Sequence, residues 1–352
     1  MLGYYGAFGQ LPDVTLVSPV NATRKMNIEI KGLFPILSVE HDEDLQNFLN
    51  DLLRNSGKLK LPLEIVDVFP LFTVVSSREL DPYPDSLGKS EKILSIEIST
   101  EMNENSYEID LNDISVNKQD FTSILVSSIF RERVTNFLTL IQLANPGVLN
   151  LGPGVILKNG KHFATKSELK SIFSEKSFRE DIKWPELQTI PVFQVWSWLI
   201  KNTNILEDFS SSNIERGINA FTYLFSDNYL NDLPKTLFWS IIGLESLYSE
   251  GDIGIGTQIN QKAQEFLGEI RENKRILKKM YSLRSSLLHG SLDIPINNGW
   301  INSDKIDEEI YKTGHFAGLV LTSTLQQIIK HNLSEFKFEF RLRTEEKRHN
   351  KG

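Results

Sequence analysis

The chain has no cysteine, which excludes disulfides and thiolate metal sites and fits a reducing compartment. It has no apolar run approaching the roughly 18 to 20 residues needed to cross a bilayer. The opening stretch MLGYYGAFGQLPDV lacks the basic segment and apolar core of an export signal, so cytoplasmic residence with no membrane partner is expected. Positive charge is also short: 46 acidic residues against 38 Lys and Arg leave a formal charge of −8. Wrapping nucleic acid by a lysine-coated surface is therefore excluded, although a local basic site stays open.

What is present reads as a globular protein. With 352 residues, 40% of them hydrophobic and 24% charged, the chain is long enough for about two domains, each with its own core. The pattern predicts an α+β protein, a strand-rich mixed domain over 1–185 followed by an all-α helical bundle over 186–335 and a charged tail over 336–352. In the first half, LSIEIS alternates Leu94, Ile96 and Ile98 with Ser95, Glu97 and Ser99, the period of a half-buried strand. YEIDL at 107–111 repeats the pattern, and Asn159-Gly160 in VILKNGKHF suits a tight hairpin turn with His162 beside it.

Glu97, Glu101, Glu104, Glu108, Asp110 and Asp113 occur without an intervening Lys or Arg. Their spacing matches no calcium loop, and a solvated acidic hairpin is the reading that follows. A helix is expected from Asp120, with Phe130, Val134, Phe137 and Ile141 on one stripe and a stop at Asn145-Pro146-Gly147. Trp184-Pro185 to Pro191 marks the expected boundary, and helical spacing dominates after it. The glycines of GDIGIG at 251–256 lack the preceding strand and following lysine of a phosphate loop, and His315 and His331 lie too far apart for a helical metal pair.

Two stretches point to chemistry. In LFWSIIGLESLY, Phe238, Ile241, Ile242, Glu245 and Tyr248 fall on one face, so Glu245 stands where an apolar residue is expected. A buried charge needs a partner, and Arg284 is the obvious candidate. The second stretch is the helix leading into YSLRSSLLHG. Arg271, Lys274, Arg275 and Lys278 form a basic ridge, while Ile276, Leu277, Met280, Leu283 and Leu287 form the buried side. Arg284 and His289 are about 140° apart on an ideal helix, so convergence needs unwinding at Gly290 or a second protomer.

IIGLESLYS at 241–249 followed by KKMYSLRSSLLHGS at 278–291 resembles the Apea-like branch of the HEPN family, over roughly residues 230 to 335. Arg284 to His289 then corresponds to the R-x4–6-H element, with Glu245, Tyr281 and Ser285 as supporting residues. Ser285 stands where many HEPN nucleases have Asn, Asp or His, and keeps one hydrogen-bonding hydroxyl there. The resemblance implies an endoribonuclease that uses no metal or other cofactor. In such an enzyme the substrate's own 2′-OH attacks the adjacent phosphate.

Within that expectation His289 transfers protons and Arg284 clamps the phosphate, because imidazole exchanges protons near neutral pH and the guanidinium fork stays charged. Arg271, Lys274, Arg275 and Lys278 would line the approach for RNA, tRNA among the targets. The site would form across a homodimer or higher homo-oligomer, in an antiviral-defence or toxin-like setting with a trigger or regulatory protein. The strand-rich domain would sense or restrain. A different class stays open: a non-catalytic HEPN module that binds nucleotide or RNA, or dimerises, as a regulatory partner. On that alternative Arg284 pairs with Glu245 and His289 merely caps a helix.

Overall fold

The computed structural model describes residues 25–36, 47–48, 50–51, 71–76, 92–103, 130, 134–166, 184–204, 210–225, 233–251, 254–270, 274–291 and 304–338. They form a mixed α+β architecture in two compact units, one carrying the sheet and one the helices that follow Pro191. No helix among the described residues is long and apolar enough to cross a membrane.

The sheet comprises β1 (Lys25–Pro35), β2 (Leu71–Ser76), β3 (Lys92–Asn103), β4 (Gly154–Lys158) and β5 (Lys161–Lys166). Its order is β2-β3-β1-β4-β5, with every neighbouring pair antiparallel. β1 is central, and Leu33 packs with Ile93 of β3 and Val155 of β4. The alternating LSIEIS lies within β3, but the strand is not half-buried at this point. Ile93, Leu94, Ser95 and Ile96 are all buried, so both faces are covered there. Ser95 tolerates its burial by donating a hydrogen bond to Glu97 Oε1 at 3.3 Å.

Asn159 and Gly160 have φ of 48° and 73°, the left-handed pair that a two-residue hairpin between β4 and β5 demands. The asparagine also locks the turn to β1, donating its N–H to Glu29 O and accepting from Glu29 N at 2.9 Å. Of the acidic run, Glu97 forms an ion pair with Lys31 across the β1–β3 ladder. Glu104, Glu108, Asp110 and Asp113 lie outside the described residues, as do YEIDL and the expected helix start at Asp120. Phe130 is helical, and so is 134–144, with Phe130, Val134, Phe137 and Ile141 buried as their spacing predicts.

The helical unit begins in earnest at Pro191, which precedes α1 (Val192–Asn202). There follow α2 (Asn213–Thr222), a 3₁₀ turn at Tyr223–Phe225, α3 (Leu233–Tyr248), α4 (Ile255–Leu267), α5 (Lys274–Leu288) and α6 (Asp304–Lys330). α6 is buried almost all round from Thr313 to Gln326, and it packs most extensively on α3. Its buried hydroxyls are satisfied locally: Thr322 and Thr324 donate to Gly318 O and Val320 O at 2.7 and 2.6 Å. Thr324 also meets Tyr248 Oη of α3 at 2.8 Å.

Two boundaries differ from the expected ones. Residues 138–150 belong to the helical unit although they precede 185. Gln326 of α6 ties them there: its Nε2 donates to Leu143 O at 2.9 Å and to Gln188 O at 2.6 Å, pinning the end of the 134–144 helix and the segment before Pro191 to α6. The charged tail, expected from 336, begins within the helical unit. Phe336 is buried against Tyr248, Phe266 and Phe338, and Asn213 Nδ2 donates to Phe336 O at 2.6 Å.

Candidate functional site

The candidate site lies on the seam between α3 and α5. Leu237, Ile241, Leu244 and Tyr248 form the deeply buried face of α3, whereas Phe238, Ile242 and Glu245 are only half-buried. The expected face of Phe238, Ile241, Ile242, Glu245 and Tyr248 is therefore split, and Glu245 sits at the margin of the core. That placement explains how a carboxylate survives in an apolar helix.

Arg284 reaches it from α5. Its Nη2 donates to Glu245 Oε2 at 3.2 Å, with side-chain exposures of 21% for the arginine and 18% for the glutamate. The contact has a single leg: Glu245 Oε1 and Arg284 Nε are both buried without a hydrogen-bond partner among the described residues. Burial raises the Glu245 carboxyl above its ordinary value of 4.5, and the adjacent guanidinium only partly opposes that shift.

Tyr281 lies one turn before Arg284, with the guanidinium carbon 5.8 Å from its ring centroid, within cation–π range. The ring also fits against Gly256 at the start of α4. A Cβ at Gly256 would come within 2.9 Å of Tyr281 Cγ and Cδ1, so the glycine permits this close approach. Of the GDIGIG stretch, Ile255 and Gly256 open α4 and Gly254 precedes it in the left-handed region at φ 65°, while Asp252 and Ile253 lie outside the described residues.

His289 is exposed and follows the last residue of α5. Its N–H donates to Ser285 O at 3.0 Å, the final turn of the helix. Gly290 then adopts φ 65°, its N–H donates to Leu287 O, and Ser291 N–H donates to Ser286 O at 2.9 Å. This pair of bonds is a Schellman motif, and it ends the helix directly after the histidine. Gly290 therefore terminates the helix without bringing His289 onto Arg284, and no contact joins the two side chains among the described residues. Ser285 is half-buried between them in sequence.

On the basic ridge, Arg275 and Lys278 are exposed and Lys274 is the first residue of α5. Arg271 lies outside the described residues. Lys279, beside that ridge on α5, forms an ion pair with Glu309 of α6.

Two charged residues escaped the sequence reading although the rule used for Glu245 would have found one of them. Lys262 occupies the buried stripe of α4 with Ile259 and Ala263. Its side chain is 3% exposed, paired with Glu250 at 2.9 Å and hydrogen-bonded to Gln258 Oε1 at 3.2 Å. The other is Glu215, in the Ser212-x-x-Glu215 signature of a capping box. Its carboxylate accepts from Asn204 N, Ser211 N, Ser211 Oγ and Ser212 N at 2.6 to 2.8 Å. Burial alone would raise this carboxyl, but those four donors outweigh it and bring it down to about 2.

The HEPN resemblance rests on the residues alone: no family model matches this chain, and neither does any curated protein or solved structure.

Proposed function

We propose that this protein is a metal-independent endoribonuclease of HEPN type, with Arg284 and His289 as its reacting pair in a homodimeric site. The observation that carries the reading is the end of α5, where an exposed His289 follows a partly exposed, permanently charged Arg284 within five residues. Cleavage of RNA by its own 2′-OH asks for little else. The 2′ oxygen attacks phosphorus, the 5′ oxygen leaves with a proton, and a cyclic phosphate remains on the ribose. His289 handles the proton and Arg284 neutralises the charge that grows on the phosphorane oxygens.

One protomer supplies one histidine, whereas an in-line displacement needs proton transfer at both the attacking and the leaving oxygen. A two-fold pairing of α5 would supply both. Arg275 and Lys278, exposed on the same helix, give the approaching strand a cationic path. A cytoplasmic defence or toxin-like role, with the sheet unit restraining the nuclease until a trigger protein or other signal arrives, extends the same reading.

A second reading has its own observation. Glu245 already engages Arg284, and the Schellman turn accounts for the position of His289, so the helices would serve equally as a non-catalytic RNA-binding or dimerising module. Incubating the protein with tRNA and unstructured RNA in EDTA separates the two. Cleavage that disappears in Arg284→Ala and His289→Ala supports the nuclease; cleavage retained by both variants removes it, and an inert wild type that binds RNA selects the module.

A further inference from the structure

The contact between Glu245 and Arg284 is poorly made for a structural ion pair. At 3.2 Å it is longer than the roughly 2.7 to 2.9 Å of a well-formed charge-assisted bond. Arginine and carboxylate commonly meet through two parallel bonds, yet here Arg284 Nε and Glu245 Oε1 are each buried with no partner among the described residues. The two orphaned atoms belong to the same pair, so one leg of the fork is unused on both sides.

We propose that Glu245 is an internal competitor for the anion seat of Arg284, a carboxylate that a phosphodiester oxygen must displace before the arginine can clamp RNA. This rests on the reading of Arg284 as a phosphate clamp. Guanidinium cannot lose its proton, so Arg284 takes an anion in every state of the site. With the substrate absent, the anion that meets it is Glu245. A phosphodiester presents two non-bridging oxygens that suit Nε and Nη2 together, so it would use the leg that Glu245 leaves idle. The exchange is also close to hand, because the pair lies at the margin of the core rather than in its centre.

Two further features fit an exchangeable contact. Burial disfavours the charged form of Glu245 more than Arg284 restores it, so the carboxylate is weakly held where it is. Tyr281, whose ring lies beneath the guanidinium, keeps Arg284 in place after the carboxylate has gone. The contrast with a positioning role is one of sign. A glutamate that merely orients Arg284 strengthens RNA binding, and its removal weakens it. A competitor weakens binding, and its removal strengthens it.

The test is binding of a short fluorescent single-stranded oligoribonucleotide, 2′-O-methylated at every position so that it cannot be cleaved. Anisotropy is followed in EDTA at fixed salt with the full chain. Glu245→Gln and Glu245→Ala are expected to tighten binding about three- to ten-fold, the scale of removing one partly screened like charge and freeing its donor. Arg284→Ala should abolish the gain when combined with either variant. Glu309→Gln, which removes a carboxylate paired with Lys279 of the same helix, controls for general charge and should tighten binding less than either variant at 245.

Thermal melting of each variant identifies any that fails to fold, and the remaining variant at 245 then decides. Unchanged or weaker binding without the Glu245 charge, a gain that survives loss of Arg284, an equal gain from Glu309→Gln, or no binding by any form overturns the proposal. Failure of the nuclease reading shows separately, as unmethylated RNA left intact by the wild type in the same buffer.

Discussion

Glu215 at the start of α2 and Glu245 on α3 are the same side chain, each largely withdrawn from solvent, and their environments push them in opposite directions. Glu215 receives four hydrogen bonds and is held down at about 2; Glu245 receives one and is raised above 4.5. Burial penalises both. What differs is the number of donors that replace the lost water: three of the four to Glu215 are backbone N–H groups, which need no extra side chain to be ordered, and the fourth is the Ser211 hydroxyl. A saturated carboxylate of this kind is a structural latch. An unsaturated one opposite an arginine is a place where something else can bind.

The largest effect expected at the α3–α5 seam is on chemistry. Arg284→Ala and His289→Ala should each lower RNA cleavage about 10²- to 10⁴-fold, measured with RNA in EDTA. The exposed His289→Ala should melt close to wild type, whereas Arg284→Ala, which leaves the Glu245 carboxyl without its counter-ion, should melt lower but still fold. A loss of cleavage that tracks unfolding would make the seam as structural as the α2 cap and so erase the contrast between them.

Next in size is stability at the cap. The displacement of Glu215 from 4.5 to about 2 corresponds to roughly 3 kcal/mol at neutral pH, and Glu215→Ala should lose about that much in urea melts. The sign follows from the depressed value. This contribution is full above 4.5, the unfolded value, and is lost as pH falls through about 2. Wild-type stability should therefore drop over that acid window, whereas Glu215→Gln, already lacking the charge, should show a shallower slope there. Parallel slopes would show that the four donors do not favour the ionised form.

The smallest effect sharpens the other side. A raised carboxyl stabilises the fold below 4.5 and loses that contribution as pH rises through its higher folded value. At neutral pH the charged form of Glu245 is thus a burden offset only in part by Arg284, and Glu245→Gln should melt within about 1 kcal/mol of wild type. A loss of several kcal/mol would make Glu245 a latch like Glu215.

Much of this was legible in the residues. The alternation in β3, the Asn159-Gly160 turn, the stripe of Phe130, Val134, Phe137 and Ile141, and the helical second half follow from periodicity and turn chemistry, which are local properties. So does the meeting of Glu245 with Arg284, because a charge in an apolar helix needs a counter-ion and few were on offer. Lys262 was equally readable by that rule. Less could be read of burial and boundaries. Alternation at Leu94 to Ile98 implied one covered face, but Ser95 is buried along with Ile93, Leu94 and Ile96, so both faces are covered there. Phe336 looked like the start of a charged tail, and only its contacts with Tyr248 and Phe266 tie it down.

The sequence by itself determined the α+β character of the chain, the position of its helices and the close spacing of Arg284 and His289, since each depends on residues near one another along the chain. Tertiary structure decided that Gln326 draws 138–150 into the helical unit, that Glu215 is saturated, and that Glu245 meets Arg284 through one leg of two. Those outcomes turn on distances between segments far apart in sequence. Hydrogen bonding changes sharply over a few tenths of an ångström, which no periodicity encodes.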